Sequence, residues 1–156
     1  MSSQAQGGPH AADPPLREPT SSLGYLFKHA QLRLAELTGP ALAPFGISGR
    51  ELAVLLTLAA GEPASQQQAA QRLGVDRTSM VGLVDTLEAK ELVARRPQEG
   101  DRRRNVVELT ETGRHTVRRA SEAATEAERQ FLAPLSPAAA AQLTLALRAL
   151  ALPPGG

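Results

Sequence analysis

The sequence predicts a mainly α-helical fold carrying one small β-hairpin, and three observations lead there. Residues 65–72 and 76–89 are two short helical patterns joined by a tight Gly74-Val75 turn. Directly after them, Leu92 to Thr110 sets two short β-prone runs, near 92–96 and 105–109, around a turn rich in arginine. Further helical patterns flank this unit towards both ends of the chain. Helix, turn, helix and basic hairpin, in that order, are the parts of a winged helix-turn-helix, an arrangement suited to duplex DNA.

Each element has its own local reason. Residues 1–21 are expected to be a flexible tail, because Gly7-Gly8-Pro9, Pro14-Pro15 and Pro19 accompany too few large apolar side chains to offset ordering entropy. From Ser22 to Leu37 the apolar residues Leu23, Leu26, Phe27, Ala30, Leu34 and Leu37 recur at helical spacing. Gly39-Pro40 is expected to interrupt this helix, with a short helical turn from Pro40 to Phe45. Ser48-x-x-Glu51 is a capping-box pattern that opens a second helix, whose apolar face is read as Leu52, Leu55, Leu56 and Ala59.

Ser65-x-x-Gln68 repeats the capping logic, and Gly74 stops that helix. Asp76 then caps a fourth helix with Met80, Leu83, Val84 and Leu87 on its core face. Its opposite face carries Arg77, Thr78, Val81, Gly82, Asp85 and Thr86, mostly small or polar groups able to lie against base edges. Thr110 caps a long helix over about 111–131, and Ser136-Pro137 starts the last, over about 136–150. Leu143, Leu145, Leu147 and Leu150 make that last helix too apolar for a free surface, so elements from both termini are expected to pack together and to leave a face for a symmetric partner. The resulting division is tail 1–21, N-terminal dimerisation helix and turn 22–46, winged helix-turn-helix lobe 47–110, C-terminal dimerisation helices 111–150, and tail 151–156.

Composition excludes more than it selects. A chain of 156 residues with 42% hydrophobic content can bury one sizeable core. No run of about 18 apolar residues and no basic-then-apolar start is present, which gives no support for a membrane span or for secretion and leaves the cytoplasm as the expected compartment. The absence of cysteine removes disulfides and thiolate metal sites, and His10, His29 and His115 lack ligand-like spacing, so neither metal nor cofactor is expected. The chain has no Gly-x-Ser-x-Gly elbow, no phosphate-cradling Gly-rich loop with lysine, and no carboxylate pair with a partner histidine. Ser79 has Asp76 and Asp85 nearby but no adjacent histidine, and an enzyme is not expected.

Net charge is only +1, yet five arginines fall between positions 95 and 104, against Glu99 and Asp101. Such a focused patch attracts polyanions even on a nearly neutral protein. Alone, the run reads as a solvated turn; directly after a helix-turn-helix it reads as a DNA contact. The candidate contacts are Arg95, Asp101, Arg102, Arg103 and Arg104 of the hairpin, Arg77, Thr78 and Ser79 at the start of the fourth helix, and Gln66 and Gln67 at the start of the third. Ser and Thr belong in a first helical turn as capping groups in any case, and helix N-termini also bind phosphate, so both roles stand. His29, beside Lys28 and within a turn of Arg33, reads first as a partly buried histidine satisfied by a neighbour.

With these residues assembled, the chain resembles the MarR family of bacterial winged-helix regulators across residues 22–150. The resemblance rests on Asp101-Arg102-Arg103, then Val106-Val107-Glu108-Leu109-Thr110 and Gly113, supported by Gln68 to Val93 with its Leu73-Gly74-Val75-Asp76-Arg77. It implies an obligate homodimer with the fourth helix in the major groove of double-stranded DNA. Arg103 would enter the adjacent minor groove, Asp101 would hold its guanidinium in register, and Arg102 and Arg104 would meet phosphates. A planar, permanently charged fork suits the concentrated negative potential of a narrow minor groove. It further implies a small aromatic or phenolic effector, bound in a crevice where His29, Arg33 and Arg50 hold an anion between Tyr25 and Phe45.

The chain departs from the family pattern at Gly82 and Thr86, where a charge is common, which makes direct base readout sparse. It departs again at Glu91, where a glycine usually lets the chain leave the helix in a left-handed conformation. The function expected is a dimeric repressor of a pseudo-palindromic operator, released by that ligand. The competing reading is a winged-helix dimer that binds an acidic protein partner without reading DNA sequence.

Overall fold

The computed structural model describes residue 16 and residues 18–152. It is mostly helical with one antiparallel hairpin, in the order α1 (Leu23–Leu42), α2 (Gly49–Ala59), α3 (Gln66–Leu73), α4 (Arg77–Ala89), β1 (Val93–Gln98), β2 (Asp101–Leu109), α5 (Glu111–Leu132) and α6 (Pro137–Ala151). Much of the expected tails lies outside the described residues. Inside the first of them, Pro19–Ser21 forms a 3-10 turn, and Ser22 accepts the Tyr25 amide at 3.2 Å to cap α1. The last residue of α6, Ala151, falls in the second.

The N-terminal helix corrects the expected break at Gly39-Pro40, because α1 runs through both to Leu42. Proline removes one i to i−4 hydrogen bond and crowds one carbonyl. In the last turn little helix remains to be disrupted, and Leu42, 1% exposed, anchors the end in the core. A 3-10 turn over Ala43–Phe45 and a left-handed Gly46 (φ 65°) then redirect the chain into α2.

Helix α2 is the axis of the core and packs against α3, α4, α5 and β2. Its buried stripe is Glu51, Val54, Leu55 and Leu58, with Leu52 beside it. Leu56, expected on that face, is 44% exposed, and Ala59 is exposed too; the helical arc fixed by Val54 and Leu55 turns both outward. Met80, Val84 and Leu87 of α4, Val93, Val107 and Leu109 of the hairpin, and Val117 and Ala120 of α5 complete the core. A bridge missed in the sequence joins Ala64 to β2, with the Val107 amide donating to the Ala64 carbonyl at 2.8 Å.

Glu51 is a buried carboxylate within that apolar stripe. One oxygen accepts the Ser48 amide at 2.6 Å, and the other accepts Lys90 Nζ at 2.6 Å, which also donates to the Gly46 carbonyl at 2.7 Å. Lys90 is the C-cap of α4, so this pair ties the end of α4 to the start of α2. Burial pushes the Glu51 carboxyl up, but Lys90 and the Ser48 amide more than offset it and hold the group below the usual carboxylate range.

The hairpin joins α4 and α5 through a tight junction. Glu91 leaves α4 at φ 59°, the one non-glycine residue with positive φ among the described residues, and Leu92 N donates back to Leu87 O at 3.0 Å. Holding a non-glycine residue there costs about 1–2 kcal/mol. Thr110 spans the junction: its amide donates to Leu92 O at 3.1 Å, its hydroxyl donates to Glu91 O at 2.6 Å, and that hydroxyl accepts the Gly113 amide at 2.9 Å. A Cβ on Gly113 would sit 1.9 Å from the Leu92 carbonyl oxygen, so only glycine lets α5 approach this closely.

At the outer end of the fold, α1 packs along α5, whereas α6 buries none of its residues. The expectation that elements from both termini pack together is therefore met within one chain by α1 and α5 and not by α6. Leu23, Leu26, Phe27 and Leu32 of α1 and Leu143, Leu145, Leu147 and Leu150 of α6 stay exposed.

Two outcomes follow. Gly113→Ala should destabilise the protein by about 3 kcal/mol or more in chemical unfolding, since backbone must move to admit the methyl group; a loss under about 1 kcal/mol would contradict the close packing at Leu92. The Glu51 carboxyl titrates lower folded than unfolded, so its contribution is complete above the ordinary carboxylate pKa and is lost as pH falls through the folded value. Glu51→Gln should therefore flatten the acid limb of a stability-against-pH profile, and an unchanged acid limb would refute that role.

Candidate nucleic-acid interface

One face of the lobe gathers the starts of α3 and α4 with the hairpin. Ser65 opens α3 with a full capping box: its hydroxyl accepts the Gln68 amide at 3.2 Å, and the Gln68 side chain accepts the Ser65 amide at 2.9 Å. Gly74, at φ 70°, ends α3 in a left-handed cap. Two residues later Asp76 caps α4 by accepting the Ser79 amide at 3.1 Å. The Ser79 hydroxyl and amide hold the Asp76 carboxyl below its ordinary value, so it carries the negative charge that a helix N-terminus favours.

Between these elements lies a cleft of about 610 Å³, and its lining brings together Gln66 and Gln67 of α3, Arg77 of α4, Arg95 of β1 and Arg104 of β2, with Gln98 and Asn105 at the hairpin. Arg77, Thr78, Ser79, Gly82, Asp85 and Thr86 are exposed along α4, while Val81 is half-buried. Thr78 is absent from the cleft lining. Ser79 lies on the flank of α4 that faces α2, where it lines a different groove with Arg50, Ala53, Val75 and Leu83.

The hairpin is longer than its sequence suggested. The strands run 93–98 and 101–109 in place of 92–96 and 105–109, and only Glu99-Gly100 remains as the turn, with Gly100 at φ 86°. Register passes from Pro97↔Asn105 directly to Gln98↔Asp101, so Arg102, Arg103 and Arg104 face no residue of β1. Pro97 has no amide hydrogen to continue the ladder, and the strand bulges opposite it. All three arginines are exposed on that bulge.

Asp101 organises the bulge differently from the expected role. Its Oδ1 accepts the Arg103 backbone amide at 3.0 Å, an Asx turn, and its Oδ2 lies 3.6 Å from Arg104 Nε. It thus fixes the Arg103 main chain and pairs with Arg104, while the Arg103 guanidinium makes no ion pair or hydrogen bond among the described residues. A short carboxylate reaches the amide two residues on more readily than the end of a long side chain.

Arg95 is not exposed like its neighbours, its side chain being only 22% accessible. Its guanidinium pairs with Asp85 and Glu88 of α4, and the Gln66 amide, turned so that its oxygen faces the arginine, accepts Nε and Nη2 at 2.7 and 2.9 Å. Burial pushes the guanidinium pKa down, but the two carboxylates outweigh it and leave the group above its ordinary value. Arg95 is a brace between hairpin, α4 and α3, a role the sequence reading missed. The signal was available in Asp85-x-x-Glu88, an acidic pair on one helical face just before the hairpin. Arg96 similarly pairs with Glu108 across the strands.

The five residues expected to hold an effector are spread over α1 (Tyr25, His29, Arg33), the 3-10 turn after it (Phe45) and the first turn of α2 (Arg50). Tyr25 and His29 stack one turn apart on α1 with ring centroids 4.0 Å apart, and Arg33 pairs with Glu36 at 3.0 Å. Phe45 packs against the core beneath Arg119, whose guanidinium carbon lies 5.7 Å from the ring centroid. Arg50 lines the separate groove beside Ser79. Among the described residues no helix is by itself long and apolar enough to cross a membrane.

Residues 45–104, the helix-turn-helix and most of the hairpin, match the MarR family. The HTH-type transcriptional repressor NicR of Pseudomonas putida is 32% identical over 94 residues, which is 60% of this chain and 60% of that repressor's length. Among solved structures, the transcriptional repressor CouR bound to a 23-mer DNA duplex is 32% identical, with 90% of this chain and 99% of that chain covered and a TM-score of 0.80. CouR from Rhodococcus jostii RHA1 bound to p-coumaroyl-CoA is 27% identical over 88% of this chain and 97% of that one, with a TM-score of 0.76.

If Arg95 braces the lobe, Arg95→Ala and Glu88→Ala should be non-additive in chemical unfolding, with a coupling of about 1 kcal/mol, the upper range for partly exposed pairs. The more exposed Arg96–Glu108 pair should show less than about 0.5 kcal/mol. Additive effects at Arg95 and Glu88 would remove the brace.

Proposed function

The chain belongs to the MarR family of winged-helix transcriptional regulators, and from that premise we propose that it works as a homodimeric repressor of a pseudo-palindromic operator, released by a small aromatic or anionic ligand. The observation that carries the reading is the exposed bulge of Arg102, Arg103 and Arg104 beside the exposed face of α4. In this reading α4 enters the major groove and Arg103, with its guanidinium uncommitted among the described residues, enters the neighbouring minor groove. Arg102, Arg104 and Arg77 meet phosphates, Gln66 and Gln67 approach the backbone from the start of α3, and Thr78 and Ser79 line the first turn of the reading helix. Asp101 orients the bulge and Arg95 holds it at a fixed angle to α4.

The apolar side chains left exposed on α1 and α6 support the dimer, since a monomer rarely leaves so many large apolar groups to water. A two-fold axis there would set two α4 helices one helical turn of DNA apart, about 34–36 Å. A ligand would release DNA by favouring a dimer in which that spacing is wrong, which requires different affinity for the two arrangements. Tyr25 and His29 on α1, with Arg33, Phe45 and Arg50, are the residues proposed to take part.

Arg103→Ala should weaken binding to a duplex retained by the parent protein by about 1–3 kcal/mol, roughly 5- to 150-fold, in fluorescence anisotropy. Arg103→Lys should recover only part of it, because the planar fork is lost. Full affinity in Arg103→Ala would displace the wing from this account.

A further inference from the structure

Gly82 sits near the middle of α4, on its exposed face. Inside a helix glycine is less stable than alanine, because its backbone loses more freedom on folding. Nothing in the fold requires it here. Its backbone is not left-handed, unlike that of Gly46, Gly74 and Gly100. A Cβ at Gly82 would meet no neighbouring atom within 4 Å, whereas one at Gly113 would collide with the Leu92 carbonyl. The open space lies on the side from which anything bound by α4 must come, and glycine is what a helix needs where another surface closes on its backbone.

The polar side chains that follow Gly82 on this face are already engaged. Thr86, one turn on, donates its hydroxyl to the Gly82 carbonyl at 2.9 Å. Asp85 is paired with Arg95 of the hairpin. Gly82 itself offers only helical backbone, flanked one turn away on either side by the exposed Thr78 and Thr86. A base-pair edge rich in donors and acceptors would lose its water against that surface without gaining a partner. The thymine 5-methyl is the apolar group that projects into a major groove, and it has no such loss.

We propose that Gly82 is a specificity-determining residue, whose bare backbone admits a thymine 5-methyl group of each half-site into the place a Cβ would take. The inference rests on the repressor reading above and adds what α4 reads at its centre. Specificity there comes from shape and apolar contact, with hydrogen bonding left to the first turn of α4.

The test takes a duplex retained by the parent protein, replaces each thymine in turn by deoxyuridine, and measures binding of the parent and of Gly82→Ala by fluorescence anisotropy. At one thymine per half-site, uracil should weaken the parent at least threefold, the scale of one methyl group taken out of water. Gly82→Ala should bind the thymine duplex at least tenfold more weakly than the parent. At that position it should no longer prefer thymine to uracil, because its own methyl group fills the gap. Its melting temperature should rise by about 2–4 °C, as alanine suits a helix better. If the parent retains no duplex, the repressor reading fails and this inference with it. If a duplex is retained, this inference alone falls when Gly82→Ala binds as tightly as the parent, loses the same factor on both duplexes, or when no uracil weakens the parent. A lowered melting temperature would show that the fold itself needs the glycine, and would overturn the proposal too.

Discussion

The carbonyl of Leu92 is the point on which the rest of this architecture turns. It accepts the Thr110 amide, so the hairpin closes on itself at its base, and it lies where any side chain on Gly113 would sit. The Thr110 hydroxyl then reaches across to Glu91 and caps α5 in the same stroke. Three elements therefore leave one small knot of backbone: α4, the hairpin and α5. Glu91 tolerates a left-handed backbone because the surrounding hydrogen bonds over-determine it.

Two ion-pair sets extend that rigidity. Lys90 and Glu51 fasten the end of α4 to the start of α2, and Arg95 fastens the hairpin to the C-terminal half of α4. The consequence for electrostatics is a separation of roles among chemically identical side chains. Arg95 and Arg96 are spent on carboxylates within the fold, whereas Arg102, Arg103 and Arg104 are lifted out by the bulge opposite Pro97. A near-neutral protein thereby concentrates its positive potential at one protruding edge, which is where a polyanion is attracted most strongly.

Much of this was legible in the sequence because it depends on local chemistry. Ser48, Ser65, Asp76, Thr110 and Ser136 each cap the helix that capping rules assigned to them, and Met80, Val84 and Leu87 are buried as their spacing required. The left-handed Glu91 was legible as the place of a missing glycine. Pro40 misled because a proline near a helix end costs far less than one in the middle. Leu56 misled because apolar character was taken for burial, while Val54 sets the arc. The Arg95 brace, the Lys90–Glu51 pair and the Ala64–Val107 bridge join residues far apart in the chain, and no local period reports such partners. The proposed contact residues on α3, α4 and the hairpin could be named in advance, but not how Asp101 and Arg95 would share the work of holding them.

The most direct measurement selects from a random duplex pool with the purified protein at near-physiological salt and sequences what is retained. The account predicts enrichment of an inverted repeat whose half-sites lie about one helical turn apart, the pattern that two lobes related by the proposed two-fold axis would read. Retention without a motif, or no retention, would contradict it and would turn attention to an acidic protein as the partner of the basic hairpin.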